Sequence, residues 1–477
     1  MTPEEFRAAG HQLVDWIAGY LADVERHPVL SPAQPGDIAA LVPSHPPDRV
    51  APWSEVLADL DRVVLPGITH WQHPSFFAYF PSNSSYAAIL GELASAGLGV
   101  NGMLWATSPA ATELETVVVG WMAELLGLPE RFRGPEAGGV IQGTASEATL
   151  CAVLAARERA TQGAGNRTGA VGDLVAYTTA QAHSSVEKGL RIAGIGSDNL
   201  RIVPADASFA LRVDALAEAV AADRAAGRRP FLVVASVGTT SSMAVDPVPA
   251  IGELCEREGL WLHVDAAMAG IAALCPEHRG LLAGLERADS FCTNPHKWMS
   301  VNFDCDLFWV ARRADLLAAL SILPEYLRTA AAESGAVIDY RDWGIPLGRR
   351  FRALKLWFTL RLDGVDEIRA MIRRHIEWAG WLADEVRHDE RFALSAPPSL
   401  NLVCLHHVDG DATTDRIIEA ANASGEALFT RTVLDGRSVL RFCVGARTTE
   451  RRHVEAGWSL IGRLAPAATQ SVAVATT

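Results

Sequence analysis

The first residues of the chain show an apolar repeat of three to four positions, which predicts one amphipathic helix over residues 2–24. Thr2 stands three residues before Glu5, and Pro3 lies between them, which predicts a capping box with proline at the first helical position. The apolar positions of this predicted helix are Phe6, Leu13, Ile17, Tyr20 and Val24.

A proline-rich stretch from His27 to Trp53 follows, with seven prolines. Proline lacks a backbone donor and fixes φ, so this stretch is predicted to be an extended arm and not a regular helix or a central strand. Its apolar residues favour an arm that lies on another surface, such as that of a partner subunit. These residues are Val29, Leu30, Ile38, Leu41 and Val42.

Between about residues 135 and 310, short apolar runs alternate with helical stretches. This alternation predicts a mostly parallel sheet that is covered on both faces. The predicted strands are 140–142, 174–177, 231–235, 260–264, 288–292 and 306–310, and the predicted helices are 146–160, 183–194 and 248–258.

After residue 350 a long helix, 351–362, precedes further helices and the strands 402–405 and 439–443, which predicts a separate α+β domain. We therefore expect an N-terminal helical and extended arm (1–85), a large α/β domain (86–345), a small α+β domain (346–465) and a flexible tail (466–477).

Composition limits the function classes. The 477 residues carry a formal net charge of −14, which argues against nucleic acid and anionic membranes as partners. The acidic, polar start is no signal peptide, and no apolar run approaches the ~20 residues of a spanning helix. Seven scattered cysteines indicate free thiols in a cytoplasmic protein, with no disulfide framework and no metal site.

Ligands bind beyond the carboxyl ends of parallel strands, so the residues that follow each strand are the candidates. Thr144 and Glu147 predict a capping box at a helix start whose small residues leave N–H groups open to an anion such as phosphate. An ordinary capped helix explains the same residues.

The ends of the next three strands each carry one candidate ligand-binding residue. His183 lies near a helix start, where a structural histidine is the alternative, and Thr240 lies in a turn of small hydroxyl residues. Asp265 ends an apolar strand, and it needs a backbone cap or a cationic ligand nitrogen as its partner.

The segment Thr293-Asn-Pro-His-Lys-Trp-Met299 sets Lys297 in a turn between two strands. Alone, Lys297 is compatible with a solvated loop. Together with the predicted phosphate site, His183 and Asp265, Lys297 matches the groups that pyridoxal phosphate (PLP) needs. A lysine amine binds its aldehyde, and an anion keeps its ring nitrogen protonated.

The chain resembles the aromatic-L-amino-acid decarboxylase group of PLP-dependent decarboxylases (group II) over residues 2–463. The most specific motifs are HWQHPSFFAYFPSNSSY (70–86), SPAATELE (108–115), VIQGTASEATL (140–150), AHSSVEK (182–188), HVDAAMAG (263–270), NPHKW (294–298) and WGIPLGRRFRALKLWF (343–358). The resemblance implies the aspartate-aminotransferase fold (fold type I), PLP as cofactor and a homodimer with active sites at the subunit interface.

The resemblance also implies the residue roles. Lys297 binds the cofactor covalently, Asp265 pairs with its ring nitrogen, and His183 and Ala267 lie on opposite faces of the ring. The phosphate is held by Thr144, Ala145, Ser146 and Asn294. Thr240 and His296 lie near the cofactor and the substrate carboxylate. Tyr326, in the segment Leu323-Pro-Glu-Tyr-Leu327, matches the family's mobile-loop tyrosine and protonates Cα after CO2 leaves.

Substrate-pocket positions follow from the same resemblance. They are Trp71, Tyr79, Phe80, Pro81, Asn101, Met103 and Gly348. Aromatic faces suit a flat side chain, and glycine at 348 leaves room for an indole or catechol ring. Met268 stands where animal enzymes have tyrosine, and Asn101 is expected to bond a ring substituent, an indole N–H or the backbone.

The leading hypothesis is therefore decarboxylation of tryptophan, 5-hydroxytryptophan, DOPA, tyrosine or phenylalanine. An aromatic aldehyde synthase is the second reading, and Tyr326 argues against it because that subgroup carries phenylalanine there. An aminotransferase is the third, and it would need an arginine such as Arg441 or Arg447 to clamp the substrate. A binding protein with an inactive fold would have lost Lys297 or Asp265.

Overall fold

The computed structural model describes residues 1–322 and 337–468, and the chain divides into two compact units. The large unit consists of Ser82–Glu377 and Ala396–Leu402. The small unit consists of Met1–Pro81, Trp378–Ser395 and the described residues from Val403 onward. The predicted boundaries at residues 85, 345 and 465 stay a prediction.

The helices of the described residues account for most of the packing around both sheets. In chain order they are α1 Pro3–Asp23, α2 Asp37–Leu41, α3 Trp53–Asp59, α4 Tyr86–Leu98, α5 Pro109–Leu126, α6 Ala145–Thr161, α7 Ala164–Thr168, α8 Ser185–Ile192, α9 Val213–Ala225, α10 Val248–Glu258, α11 Pro295–Trp298, α12 Arg313–Leu320, α13 Arg352–Leu362, α14 Val365–His388, α15 Asp411–Ser424 and α16 Arg451–Leu464.

The large unit is built on a sheet of seven strands in the order β1-β7-β6-β5-β4-β2-β3. The strands are β1 Gly138–Gln142, β2 Leu174–Thr179, β3 Leu200–Val203, β4 Arg229–Ser236, β5 Trp261–Asp265, β6 Ser290–Thr293 and β7 Asp306–Val310. Only β7 runs antiparallel to its neighbours, β1 and β6. The predicted mostly parallel sheet is confirmed, and β2, β5, β6 and β7 are buried along their whole length.

The small unit holds a sheet of four strands in the order β10-β11-β9-β8. Its strands are β8 Phe392–Leu394, β9 Leu402–His407, β10 Thr430–Leu434 and β11 Arg437–Cys443. The core of this unit joins distant parts of the sequence: Phe77 stacks on Phe429 and lies 4.2 Å from Phe442, ring centroid to ring centroid. The predicted α+β organisation of the C-terminal part is therefore present.

The N-terminal helix α1 begins at the predicted capping box. The Thr2 hydroxyl accepts the Glu5 N–H at 3.2 Å, and the Glu5 carboxylate accepts the Thr2 N–H at 2.7 Å. The predicted apolar face is partly covered in the single chain: Phe6 is 63% exposed, Leu13, Ile17 and Tyr20 are half-buried, and Val24 is buried.

The proline-rich arm is irregular over most of its length, but the prediction of a wholly extended arm is wrong. Residues 37–41 form the short helix α2, in a window that contains no proline and begins after Gly36 in a left-handed conformation. Elsewhere the arm is anchored: Val29 is fully buried, and its N–H donates to the Gly425 carbonyl at 2.9 Å.

All seven cysteines are free and buried. Burial raises the pKa of the Cys305 thiol to about 12 and the pKa of the Cys404 thiol to about 12. These two thiols therefore stay protonated at neutral pH. Among the described helices, none combines the length and the apolar character needed to cross a membrane.

Candidate functional site

Lys297 lies in the one-turn helix α11, which follows β6 directly. Its backbone N–H donates to the Asn294 carbonyl at 3.0 Å. The next residue, Trp298, is fully buried, and its indole N–H donates to Nδ1 of His375 at 3.0 Å. The predicted turn is therefore a helical turn that the buried tryptophan fixes, and Lys297 is half-buried on it.

Asp265 ends β5, one strand away from the Lys297 turn. It is 8% exposed, and its Oδ1 accepts the Ala267 N–H at 3.0 Å. The sequence left a backbone cap and a cationic ligand nitrogen as alternatives. The backbone cap engages Oδ1, whereas Oδ2 has no donor within hydrogen-bonding distance in the described part of the chain. One carboxylate oxygen thus remains available for a cation.

His183 precedes α8, and it lies close enough to Asp265 and Lys297 for their charges to affect its pKa. The residue is exposed overall, yet the atoms packed around its ring lower the pKa by desolvation; Asp265 raises it and Lys297 lowers it. Nδ1 accepts the Ser185 N–H at 3.1 Å, so the proton of the neutral ring lies on Nε2.

The predicted anion site at the start of α6 is open, but the predicted capping box is wrong. Thr144 is the N-cap residue without a side-chain cap bond, and the Glu147 carboxylate accepts the Gly143 N–H at 3.0 Å. A Cβ added at Gly143 would stand 3.0 Å from Oδ2 of Asp304. The absence of a side chain at 143 therefore leaves room for the Glu147 carboxylate beside the Gly143 N–H. Ser146 is exposed at the first turn of α6, where N–H groups favour an anion.

Asn294 and Ala267 connect the ends of β5 and β6. The Asn294 N–H donates to the Ala267 carbonyl at 2.9 Å. The Asn294 side chain is buried, and its Oδ1 has no hydrogen-bond partner among the residues that the structure describes. Thr240 is exposed on the predicted turn after β4, which Thr239 stabilises by accepting the Ala244 N–H at 3.0 Å.

His296, beside Lys297, is held as a neutral ring. Burial, together with the charge of the neighbouring Lys297, lowers the pKa of His296 to about 3. Its Nδ1 accepts the Cys305 N–H at 3.0 Å, so Nε2 carries the ring proton. His296 therefore presents a fixed N–H donor, not a cation, to whatever binds beside Lys297.

Three predicted substrate-binding residues of the large unit meet in one place. Oδ1 of Asn101 accepts the Arg349 N–H at 3.0 Å, and the Met103 carbonyl accepts the Arg341 N–H at 3.0 Å. A Cβ on Gly348 would lie 3.6 Å from Nδ2 of Asn101. Of the three partners expected for Asn101, its Oδ1 therefore binds the backbone.

The predicted aromatic segment lies in the small unit. Trp71 and Tyr79 stack with ring centroids 5.7 Å apart, and Tyr79 is 55% exposed. Arg441 lies over the Phe80 ring at 5.2 Å and donates to the Tyr79 carbonyl at 3.3 Å. Pro81 is buried at the end of this segment.

Two parts of the site stand apart from the sequence predictions. Tyr326 falls outside the described residues. The buried pair of Glu115 and Arg349 was not predicted, although SPAATELE contains Glu115 in a helix that is otherwise apolar at this point. A glutamate on a buried helix face needs a cationic partner, so its position was the available signal.

The chemistry of these side chains fits PLP. A phosphate needs donors, which the open N–H groups at the start of α6 supply. The buried Asn294 side chain, with its unpartnered oxygen, faces the same end of the sheet. Asp265 offers a carboxylate oxygen and Lys297 an amine, while two neutral histidines, His183 and His296, flank them. A fold type I sheet with this set of side chains defines a PLP-dependent enzyme.

Comparisons with known proteins agree. The model of the pyridoxal-dependent decarboxylase conserved domain matches residues 35–408. The chain is 45% identical to the aromatic-L-amino-acid decarboxylase of Mus musculus over 98% of both proteins. It is 47% identical to the phenylacetaldehyde synthase of Arabidopsis thaliana, over 97% of this chain and 96% of that protein.

Solved structures show the same family similarity. The crystal structure of Oryza sativa TDC with PLP and tryptamine superposes with a TM-score of 0.94 at 40% identity, covering 97% of this chain and 98% of that chain. The chain therefore belongs to the pyridoxal-dependent decarboxylase family, and its cofactor is PLP. The fold class, cofactor and family predicted from the sequence are confirmed.

Proposed function

We propose that this chain decarboxylates an aromatic L-amino acid to the arylalkylamine and CO2. The observation that carries the proposal is the grouping of Lys297, Asp265 and a neutral His183 at the carboxyl edge of the large unit's sheet. Similarity to proteins named aromatic-L-amino-acid decarboxylase and tryptophan decarboxylase supports the aromatic substrate class. The substrate candidates are tryptophan, 5-hydroxytryptophan, DOPA, tyrosine and phenylalanine.

In this proposal each residue has one task. Bound PLP supplies an electron sink for the pair that remains on Cα when CO2 departs. With PLP bound, Asp265 Oδ2 would pair with the ring nitrogen and keep it protonated, and Thr144, Ala145, Ser146 and Asn294 would hold the phosphate. Lys297 accepts and returns a proton at Nζ. His183 and Ala267 would contact opposite faces of the cofactor ring and so orient it.

Two further residues act on the substrate. The neutral His296 donates from Nε2 near the substrate carboxylate, and Thr240 offers its exposed hydroxyl at the end of β4. A cationic His296 would stabilise the carboxylate in the ground state, so its low pKa favours loss of CO2. Tyr326 delivers the proton to Cα, which yields the amine.

A second candidate is oxidative conversion of the same substrates to aldehydes. Its support is the 47% identity to a protein named phenylacetaldehyde synthase. In that reaction O2 is reduced to peroxide, water supplies the aldehyde oxygen, and ammonia leaves with CO2. An aminotransferase is disfavoured, because Arg441 is 4% exposed and engaged with Phe80, Tyr79 and Thr430.

Product analysis of the purified PLP-loaded enzyme distinguishes these reactions. Each of the five aromatic amino acids is incubated separately, and amine, CO2, aldehyde, ammonia and peroxide are quantified. Equal amounts of amine and CO2 from one or more of them are expected. Aldehyde with peroxide would instead establish the second candidate, and no turnover of any of the five would refute an aromatic substrate.

Tyr326→Phe tests the proposed proton donor in the same assay. It should keep the bound cofactor and divert product from amine to aldehyde, because O2 then competes for the unprotonated Cα. The matched control is Tyr86→Phe, at an exposed position on α4. Slow amine formation without aldehyde would contradict the assignment of Tyr326.

We further propose that the chain forms a homodimer, with active sites at the subunit interface. Apolar residues on α4 and α5 of the large unit are uncovered in the single chain. They are Leu90, Leu93, Leu98, Val117 and Trp121. A second copy that covers them would account for their exposure. Light scattering should give twice the chain mass, and Leu93→Glu should shift it towards the monomer; a monomeric wild type would refute the dimer.

A further inference from the structure

Asp306 is the first residue of β7 and is completely buried. Neither carboxylate oxygen has a hydrogen-bond partner among residues 1–322 and 337–468. An ionised carboxylate in that position would lose its hydration without compensation, at a cost of several kcal/mol. A buried acid of this kind needs either a cation or a proton.

The residue directly opposite Asp306 in the sheet indicates that Asp306 needs a proton and not a cation. In the antiparallel pairing of β1 with β7, Gln142 is the partner of Asp306, so both side chains lie on the same face of the sheet. The Gln142 amide group donates to the Trp343 carbonyl at 3.1 Å and lies 3.4 Å from Sγ of Cys151. Its nitrogen is thereby fixed away from Asp306.

The contacts of the Gln142 amide nitrogen leave a buried acceptor on the same face of the sheet as Asp306. Oε1 of Gln142 is buried and has no partner in the described residues, just as both oxygens of Asp306 have none. One proton on Asp306 supplies the missing donor to Oε1 and also removes the buried charge. A carboxylate at 306 would satisfy neither group.

Burial and the neighbouring carboxylates also favour the protonated form of Asp306. Burial raises the pKa of Asp306 well above the usual range, Asp265 and Glu147 raise it further, and Lys297 opposes them. The titratable groups that face it are Asp265 on β5, Cys292 on β6, Lys297 on α11, Glu147 and Cys151 on α6, and Cys305 before β7.

The position of this pair links it to the cofactor. Gln142 is the last residue of β1, and Gly143, Thr144 and Ala145 follow it as the proposed phosphate loop. The Gln142 side chain is held by Trp343 on one side, and a proton on Asp306 would hold it on the other. The tie therefore sets where the phosphate loop leaves the sheet.

We propose that Asp306 is a positioning residue of the PLP site, a neutral carboxylic acid that donates its proton to Gln142 and so holds the phosphate loop. The inference rests on the phosphate site of the proposed function, but not on the identity of the amino-acid substrate. A phosphate dianion nearby favours the same neutral form, since two anions would repel each other.

Two substitutions separate hydrogen bonding, charge and packing. Asp306→Asn keeps a donor without a charge, and it should bind PLP within about twofold of wild type. Asp306→Leu fills similar space without a donor, and its PLP dissociation constant should rise about tenfold, the effect of one unsatisfied buried acceptor. Leu binding as tightly as wild type would overturn the positioning role.

A double variant tests the partner. Gln142→Leu removes the acceptor, so Asp306→Leu in that background should weaken PLP binding no further. Additive losses in the double variant would show that the two side chains act independently and would refute the pair.

Two spectroscopic measurements test the charge even if the leucine variants fail to fold. The infrared spectrum of wild type minus Asp306→Asn should show the C=O band of a protonated carboxyl group, with or without PLP. The pH titration of the visible band of bound PLP should be unchanged in Asp306→Asn and displaced in the control Asp265→Asn. A carboxylate band, or equal displacement in both variants, would show that Asp306 is ionised.

Discussion

Arg349 holds both carboxylate oxygens of Glu115, through Nη1 to Oε2 at 3.0 Å and Nη2 to Oε1 at 2.7 Å. The same pair brackets β1, because Ile141 donates its N–H to Glu115 at 2.8 Å and its carbonyl accepts from Arg349 at 2.7 Å. The strand that leads into the phosphate loop is therefore fixed by a buried ion pair. The backbone N–H of Arg349 also donates to Oδ1 of Asn101, so the ion pair and the predicted substrate pocket share one residue.

Replacing Glu115 by glutamine should destabilise the large unit by roughly 3–5 kcal/mol, because it leaves the Arg349 charge buried without its partner. Chemical denaturation followed by circular dichroism measures the loss. The control is Glu256→Gln, which breaks an exposed pair with Arg287 and should change stability by less than about 1 kcal/mol. Equal effects of the two substitutions would contradict the importance of the buried pair.

Lys297→Ala should abolish turnover and the visible absorbance band of bound PLP, since no other described lysine lies beside Asp265 and His183. Lys188→Ala, on the exposed side of α8, is the control and should retain both. Absorbance spectra and the amine assay report the two properties separately. Turnover by the Lys297 variant would refute the mechanism.

Gly348→Ser should be tolerated by the fold, because the backbone there has no left-handed φ and an added Cβ meets Nδ2 of Asn101 at an ordinary 3.6 Å. The added side chain narrows the space around the substrate ring. We expect kcat/KM for tryptophan to fall several-fold relative to that for tyrosine, in the range that one extra group in a pocket produces. Ratios measured in mixtures of both substrates check this, and an unchanged ratio would place Gly348 outside the pocket.

Stability should fall in mild acid because of His263. Burial lowers the pKa of this fully buried histidine to about 4, while in the unfolded chain it is about 6.5. The folded pKa is the lower one, so the stability from the neutral ring is present above about pH 6.5 and is lost as the pH falls towards about 4. Each pH unit in this window costs roughly 1.4 kcal/mol.

His263→Asn tests this contribution, since an amide can replace Nδ1 in its 2.9 Å contact with Ser290 Oγ. Unfolding free energies at several pH values between 4 and 7 should show a slope smaller by about one proton than in wild type. The exposed His11→Asn on α1 is the control and should leave the slope as it is. An unchanged slope in the His263 variant would show that other groups cause the acid sensitivity.

Local signals in the sequence were enough to place the catalytic edge of the sheet. Strands that are apolar throughout, each followed by a polar residue such as Asp265 or His183, predict which side chains share an edge, because parallel strands end together. The PHKW turn followed from the same rule. The family motifs then supplied residue roles that spacing alone left open.

Contacts between distant segments escaped prediction for physical reasons. Thr144 and Glu147 have the spacing of a capping box. The Glu147 carboxylate instead accepts the N–H of Gly143, which is accessible because glycine has no side chain. The Gln142 and Asp306 pair depends on β7 running antiparallel beside β1. Local periodicity does not specify this register, which is fixed only when the whole sheet assembles.

The buried cysteines give the chain a practical property. Every thiol is buried, so an alkylating reagent cannot reach a sulfur atom in the folded wild type. A single cysteine placed on an exposed helix would then be the one position that a fluorophore or spin label modifies. A label in either unit can then be followed during turnover without first removing any native residue.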